Sequence, residues 1–275
     1  MRLATIRTGG GSTRAVRIEG AHAIELDFDD VGALLASGAE GARLPAAGAE
    51  HDVDELDFAP LVLRPRKIIC LGLNYRSHIL ETGRELPTHP TLFAKYDDAL
   101  VGARSDIELP VEVERPDWEV ELAFVIGRTA RRVRGDEAAD AIAGYTICND
   151  VSMRDWQYRT LQWLQGKTWE RSTPLGPFLV SPDEVDDAAD LRLRCEVDGE
   201  VMQDGRTSDL LFKPRDIVEY VSTIVTLRPG DVVSTGTPAG IGDARDPRIS
   251  LRSGQVVGCT IDGLGEQRNR CVRNP

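Results

Sequence analysis

The chain has 275 residues, of which 41% are hydrophobic and 28% charged. This is an ordinary globular composition, long enough for one large core, and at this size roughly 75% of the unfolded surface is buried on folding. Lys and Arg number 33 against 45 Asp and Glu, a net charge of -12, which excludes a general attraction for nucleic acid or an anionic membrane. An anionic substrate must then be captured by a local cluster of cations. No apolar run is long enough to span a bilayer, and the N-terminus lacks the apolar stretch of a secretory signal. The five cysteines, Cys70, Cys148, Cys195, Cys259 and Cys271, are odd in number and scattered, with no C-x-x-C pair. Reduced thiols in a cytoplasmic protein are the expectation, with Cys70 and Cys148 as small core residues.

In chain order, the first 60 residues read as a small module. Strands are expected around Leu3–Arg7 and Ala15–Ile18, a short helix at Val31–Leu35, an Ala/Gly-rich loop to Ala49 and an acidic stretch at Asp52–Phe58. Arg64-Pro65-Arg66 reads as a hinge, because proline holds its neighbour extended. It divides the chain into a small N-terminal domain, 1–63, and a larger domain, 64–275. There Lys67–Leu71 is a short apolar strand, and Arg76–Glu81 a short helix. Thr91–Ala94, Trp118–Ile126, Gly144–Cys148, Gly176–Val180, Leu191–Val197 and Asp231–Ser234 are strand candidates, separated by Gly, Pro and Asp turns. Arg154–Gln165 and Pro214–Thr223 are the clearest helices, the first with Trp156, Leu161 and Leu164 as its apolar face. The pattern predicts a β-dominated α+β fold and lacks the strand–helix alternation of a doubly wound sheet.

Three carboxylates stand out. Residues i and i+2 of a strand share a face, so Glu119 and Glu121 come together in Trp-Glu-Val-Glu. Asp150 follows the apolar run Tyr145–Cys148. Spacing alone favours two solvated glutamates on the wet face of a half-buried strand. As a cluster, three hard oxygen donors suit Mg²⁺, Mn²⁺ or Ca²⁺. His78 and Glu81 are three apart and neighbours on a helix; a carboxylate beside an imidazole makes a water-activating base. By itself such a pair is also a common surface accident. Arg154 and Gln157, again three apart, are donors suited to a carboxylate or an oxyanion. Lys167 follows Gly166 and can serve a substrate carboxylate or a developing negative charge. Thr235-Gly236-Thr237-Pro238-Ala239-Gly240-Ile241-Gly242 is a Gly-rich loop whose amides can approach an anion, although it is neither a P-loop nor a dinucleotide fingerprint.

The order and spacing of Asn74…His78…Glu81, Trp118-Glu119-x-Glu121, Asn149-Asp150-x-x-x-Arg154-Asp155-x-Gln157, Gly166-Lys167, Pro174-Leu175-Gly176-Pro177 and Thr235-Gly236-Thr237-Pro238-x-Gly240-x-Gly242 closely resemble the fumarylacetoacetate hydrolase superfamily over about residues 65–260. The resemblance implies rolled mixed β-sheets, a homodimer, and Mg²⁺ or Mn²⁺ held by Glu119, Glu121 and Asp150. It implies a small 2-oxo or 2,4-dioxo acid as substrate. His78 and Glu81 match the water-activating dyad, often carried on a lid. Gln157 and Lys167 match catalytic positions, and Arg154, Gly236 and Thr237 substrate-binding ones. The reaction first expected is hydrolysis of a C–C bond in an acylpyruvate-type acid. The alternative is a decarboxylase or tautomerase of a 2-oxo dicarboxylate on the same site, and a non-catalytic ligand-binding relative stands behind both. Asp97-Asp98 and Glu170 depart from the family pattern and are expected to bear on substrate preference; Ala103 stands where proline is common.

Overall fold

A computed structural model describes residues 1–39, 44–81 and 83–274. Residues 40–43 of the expected Ala/Gly-rich loop, and Thr82 after the expected Arg76–Glu81 helix, lie outside the described residues. The N-terminal region forms β1 (Arg2–Arg7), β2 (Thr13–Glu19), β3 (His22–Glu25), α1 (Val31–Ser37) and β4 (Glu50–Asp52). Helix α1 starts where Asp30 accepts the Ala33 N–H at 2.5 Å and stops at the left-handed Gly38, the usual cap chemistry. There follow β5 (Ile68–Gly72), α2 (Arg76–Glu81), β6 (Thr91–Lys95), β7 (Leu100–Val101), β8 (Ile107–Pro110), β9 (Pro116–Asp117), β10 (Val120–Ile126), α3 (Asp136–Ala139) and β11 (Ile142–Asn149). The rest comprises β12 (Ser152–Met153), α4 (Arg154–Gln157), α5 (Leu164–Lys167), β13 (Thr173–Pro174), β14 (Phe178–Val180), β15 (Arg192–Val197), β16 (Glu200–Arg206), α6 (Pro214–Ile224), β17 (Val232–Ser234), β18 (Val256–Ile261) and β19 (Gly265–Asn274).

Two sheets dominate, and the β-dominated α+β class holds. One has ten strands in the order β4-β3-β2-β1-β14-β11-β10-β17-β5-β6; the other has five, β16-β15-β18-β19-β8. Both are mixed, since β17 runs parallel to β5 and β19 parallel to β8 while their other neighbours are antiparallel. The N-terminal strands extend the large sheet through the antiparallel β1–β14 pair.

The centre of that sheet positions the site. All seven residues of β10 are buried. Val120, Leu122, Phe124 and Ile126 enter one apolar cluster, whereas Ala123 and Val125 enter a second one on the opposite face. By the two-residue period, Glu119 and Glu121 continue the Ala123–Val125 face. The wet face that Glu-x-Glu suggests is therefore closed over, and the carboxylates are interior groups.

The helix expected over Arg154–Gln165 is two one-turn helices, α4 and α5, with Leu161 between them 97% exposed. Thr160 supplies the reason: its hydroxyl accepts the Gln162 N–H at 3.2 Å and donates to the Gln162 carbonyl at 3.1 Å. A side chain that bonds the nearby backbone competes with the helical ladder. Leu161 thus does not belong to an apolar helix face.

Candidate active site

Glu119 and Glu121 flank Val120 at the start of β10, and Asp150 directly follows β11. The register sets Val120 opposite Asn149 and Glu121 opposite Cys148. The Asp150 N–H donates to the Glu119 carbonyl at 2.9 Å, and Asn149 Oδ1 accepts the Glu119 N–H at 3.1 Å. These ties bring the three buried carboxylates together, one oxygen of each lying within 4.8 Å of the others.

Cations converge on them. Lys167 Nζ donates to Glu119 Oε2 at 2.6 Å and to Asp150 Oδ2 at 2.7 Å. Lys95 Nζ donates to Asp150 Oδ1 at 2.5 Å. Arg154 spreads its fork over Glu119 Oε1 (2.6 Å), Asp117 Oδ2 (2.9 Å) and Gln157 Oε1 (2.9 Å). Burial would raise the Glu119 carboxyl, but Lys167 and Arg154 reverse this and hold it well below the usual range. Glu121 has no cation partner among the described residues. It accepts hydrogen bonds from Ser234 Oγ and from the Gly236 N–H, and burial, with Asp150 and Glu119 beside it, pushes its carboxyl well up. Glu121 is thus the member of the triad whose charged form lacks a counter-ion, and the neutral form is favoured until a cation supplies one. An all-oxygen donor set short of positive charge fits Mg²⁺ or Mn²⁺ rather than a thiolate metal. Cys70 and Cys148 lie near, but burial first, then the carboxylates, raises both thiols; they are neutral core groups.

Helix α2 carries the expected base. His78 is 7% exposed, and its Nδ1 donates to Glu81 Oε2 at 3.2 Å. Glu81 in turn accepts the Gly240 N–H at 3.2 Å. Asn74 anchors the start of this segment, donating to the Thr235 carbonyl at 2.8 Å and accepting the Phe212 N–H at 2.8 Å.

The Gly-rich loop does approach anions, and they are the protein's own carboxylates. Gly236 N–H donates to Glu121 at 3.0 Å, Gly240 N–H to Glu81 at 3.2 Å and Gly242 N–H to Asp117 at 2.8 Å. Gly236 therefore stands behind Glu121. Thr237 lines the cavity, while its hydroxyl donates to the Val120 carbonyl at 2.9 Å and accepts from Gln203 Nε2 at 2.8 Å. Gly166 explains the position of Lys167: a Cβ there would lie 2.5 Å from Gln157 Cα, so only glycine lets α5 sit this close on α4 and aim the lysine inward.

His78, Glu119, Arg154, Gln157, Lys167 and Thr237 share one cavity of about 80 Å³. Sequence reasoning missed Lys95, Asp117 and Ser234. Lys95 is a cation closing the apolar strand β6, which is the only local signal among them. Asp97, Asp98 and Glu170 are exposed and lie outside the cavity lining, so the expected bearing on substrate preference has no contact to carry it. No helix among the described residues is long and apolar enough to cross a membrane.

Comparison with known proteins places this architecture. The family model of the fumarylacetoacetate hydrolase C-terminal region matches residues 67–272, and the chain belongs to that family. It is 43% identical over 220 residues, 79% of this chain and 70% of the other, to the human protein named oxaloacetate tautomerase FAHD2A, mitochondrial. Among solved structures it is similar to a fumarylacetoacetate hydrolase from Exiguobacterium antarcticum, with TM-score 0.90, 31% identity and all of both chains covered. It is also similar to 2-hydroxyhepta-2,4-diene-1,7-dioate isomerase from Mycobacterium marinum, with TM-score 0.81, 35% identity, and 100% of this chain and 99% of that one covered.

Proposed function

We propose that the chain is a divalent-metal-dependent tautomerase of a short 2-oxo dicarboxylate, with oxaloacetate the first substrate to test. The observation that carries this reading is the cavity, about 80 Å³, which His78 and Glu119 both line, with Glu121 and Asp150 clustered behind Glu119. Keto–enol exchange needs one proton removed from C3 and one delivered to the C2 oxygen, with no attacking water and no leaving fragment to house. The names of the human relative and of the Mycobacterium marinum isomerase support the same class of proton-transfer chemistry.

In this reading His78 Nε2 takes the C3 proton, and Glu81 fixes the ring by accepting from Nδ1. Gln157 spends its carbonyl oxygen on Arg154, which leaves its NH₂ group to donate to the enolate oxygen beside Lys167. Arg154 orients Glu119 and Gln157. Thr237 shapes the wall around the substrate, and Gly236 supports Glu121 from behind. Glu119, Glu121 and Asp150 would hold the cation, which when bound would polarise the 2-oxo group. The assembly expected from the family is a homodimer, and light scattering giving a mass near the 30.1 kDa chain would contradict it.

Hydrolysis of an acylpyruvate, the first expectation from the sequence, is the second reading. The His78–Glu81 pair favours it, being competent to activate water. The two are separated by following oxaloacetate keto–enol exchange and acylpyruvate cleavage by absorbance, with Mg²⁺ or with chelator. Metal-dependent exchange without cleavage is expected, and His78→Ala should slow exchange by roughly 10²-fold or more. Cleavage without exchange would replace this reading with the hydrolase.

A further inference from the structure

The cavity contains a cation that the chemistry above does not use. Lys167 and Arg154 are tied to Glu119, Asp117 and Asp150. Arg84 also lines the cavity, and among the described residues its guanidinium has no ion-pair or hydrogen-bond partner. In a chain of net charge -12, an unpaired arginine at a cavity whose other two cations are tied to carboxylates is a place prepared for an incoming anion.

Its tether matters as much as its charge. The Arg84 N–H donates to the Ile79 carbonyl at 3.2 Å, and the Gly83 N–H to the Leu80 carbonyl at 3.0 Å. Arg84 is thus folded back onto the helix that presents His78 and Glu81, so base and arginine move as one piece. The facing wall is apolar: Phe93 and Trp163 meet edge to face at 5.6 Å between centroids. Trp163 is fixed there by close approach to Gly72, where a Cβ would lie 2.2 Å from Trp163 Cζ3. A rigid aromatic wall restricts length, and an arginine at the same cavity rewards charge.

We propose that Arg84 is a specificity-determining residue that binds the distal carboxylate of a short 2-oxo dicarboxylate whose 2-oxo-acid end lies at the carboxylate triad. The assignment rests on the tautomerase reading and deepens it. A planar guanidinium can meet a carboxylate through two parallel N–H···O bonds, which a neutral ester or methyl group cannot accept in the same way. The substrate would then be held at both ends, with C3 beneath His78.

The test compares oxaloacetate with its 4-methyl ester, on metal-loaded wild-type protein and on Arg84→Gln and Arg84→Lys. Loss of a charge-assisted bidentate contact should lower the oxaloacetate-over-ester ratio of kcat/KM by about 10- to 100-fold in Arg84→Gln. Arg84→Lys should recover part of it as a point charge. An unaltered ratio in Arg84→Gln overturns the assignment and leaves Arg84 a surface residue. Calorimetry with L-malate and lactate, in the presence of Mg²⁺, gives a readout independent of turnover. Wild type should prefer malate, and Arg84→Gln should lose that preference; equal preferences in both proteins also overturn the assignment. If wild type fails to tautomerise oxaloacetate yet shows the malate preference and its loss, the tautomerase reading fails while the role of Arg84 stands.

Discussion

Asp117 holds together more of the site than any residue picked out from the sequence. It is buried and accepts from the Trp118, Gly242 and Asp243 amides at 2.9, 2.8 and 3.0 Å and from Arg154 at 2.9 Å. Asp117→Ala leaves a buried guanidinium with half its counter-charge and three amides without an acceptor. Breaking such a pair costs about 3–5 kcal/mol; urea unfolding should show it, and a loss under about 1 kcal/mol would mean that the Arg154–Asp117 bond contributes little. Glu121 should behave in the opposite way. Its carboxyl has no cation partner among the described residues, so Glu121→Gln breaks no ion pair and keeps an oxygen for Ser234 and Gly236. Stability of the metal-free protein should shift by less than about 1 kcal/mol, while calorimetric Mg²⁺ affinity should fall at least tenfold. Undiminished affinity would remove Glu121 from the ligand set. The triad was legible because strand period and hard-ligand chemistry are both local. Asp117 and Lys95 were not, since their roles depend on partners 37 and 55 residues away.

At the scale of elements, many strands and the helix α2 were legible, whereas the α4–α5 break was not. Helical spacing does survive inside α4, where Arg154 and Gln157 touch as expected. The continuation past Tyr158 failed because Thr160 offered the backbone another partner. β18 and β19 lie inside the five-stranded sheet, with buried residues alternating with more exposed ones, but glycine and charged residues obscure their apolar period. Helix α2 closes onto the Gly-rich loop through Glu81, whose carboxyl is lowered first by the His78 hydrogen bond, against partial desolvation, and further by the Gly240 amide. A depressed carboxylate contributes stability above its unfolded value and loses it as pH falls through the folded one. The α2–loop contact should therefore persist from neutral pH into the ordinary carboxylate range and be released only below it. Hydrogen exchange at the Gly240 amide, measured between pH 6 and 3 and corrected for intrinsic rates, should lose protection only at the acid end. Loss already at pH 6 would show that Glu81 does not hold α2 on the loop.

On the scale of the molecule, the boundary at residue 63 was read from a proline and a change of texture, and we retain the 1–63 and 64–275 division as a proposal about ancestry rather than independence. One apolar cluster joins Leu3, Ala15, Leu26, Leu34 and Leu61 to Ile68, Val125, Leu175 and Leu179, and β1 covers the edge of β14. Such long-range burial has no signature in a linear sequence. Fragment 64–275 would expose that cluster and an open strand edge, the condition for aggregation. It should be recovered mainly insoluble; a soluble fragment unfolding at the full-length Tm would establish a separable domain.

The five buried cysteines make the protein its own stopwatch. Cys70 and Cys148 sit in β5 and β11 of the ten-stranded sheet, and Cys195, Cys259 and Cys271 in β15, β18 and β19 of the five-stranded one. An alkylating reagent can reach a thiol only while the strands around it have parted, so each covalent mark dates an opening event. Peptide mapping after pulses of increasing length should sort the marks by depth, with Cys70, Cys195 and Cys271, each one strand in from an edge (β6, β16 and β8), acquired before Cys148 and Cys259. Simultaneous labelling of all five would instead mean that the two sheets come apart together.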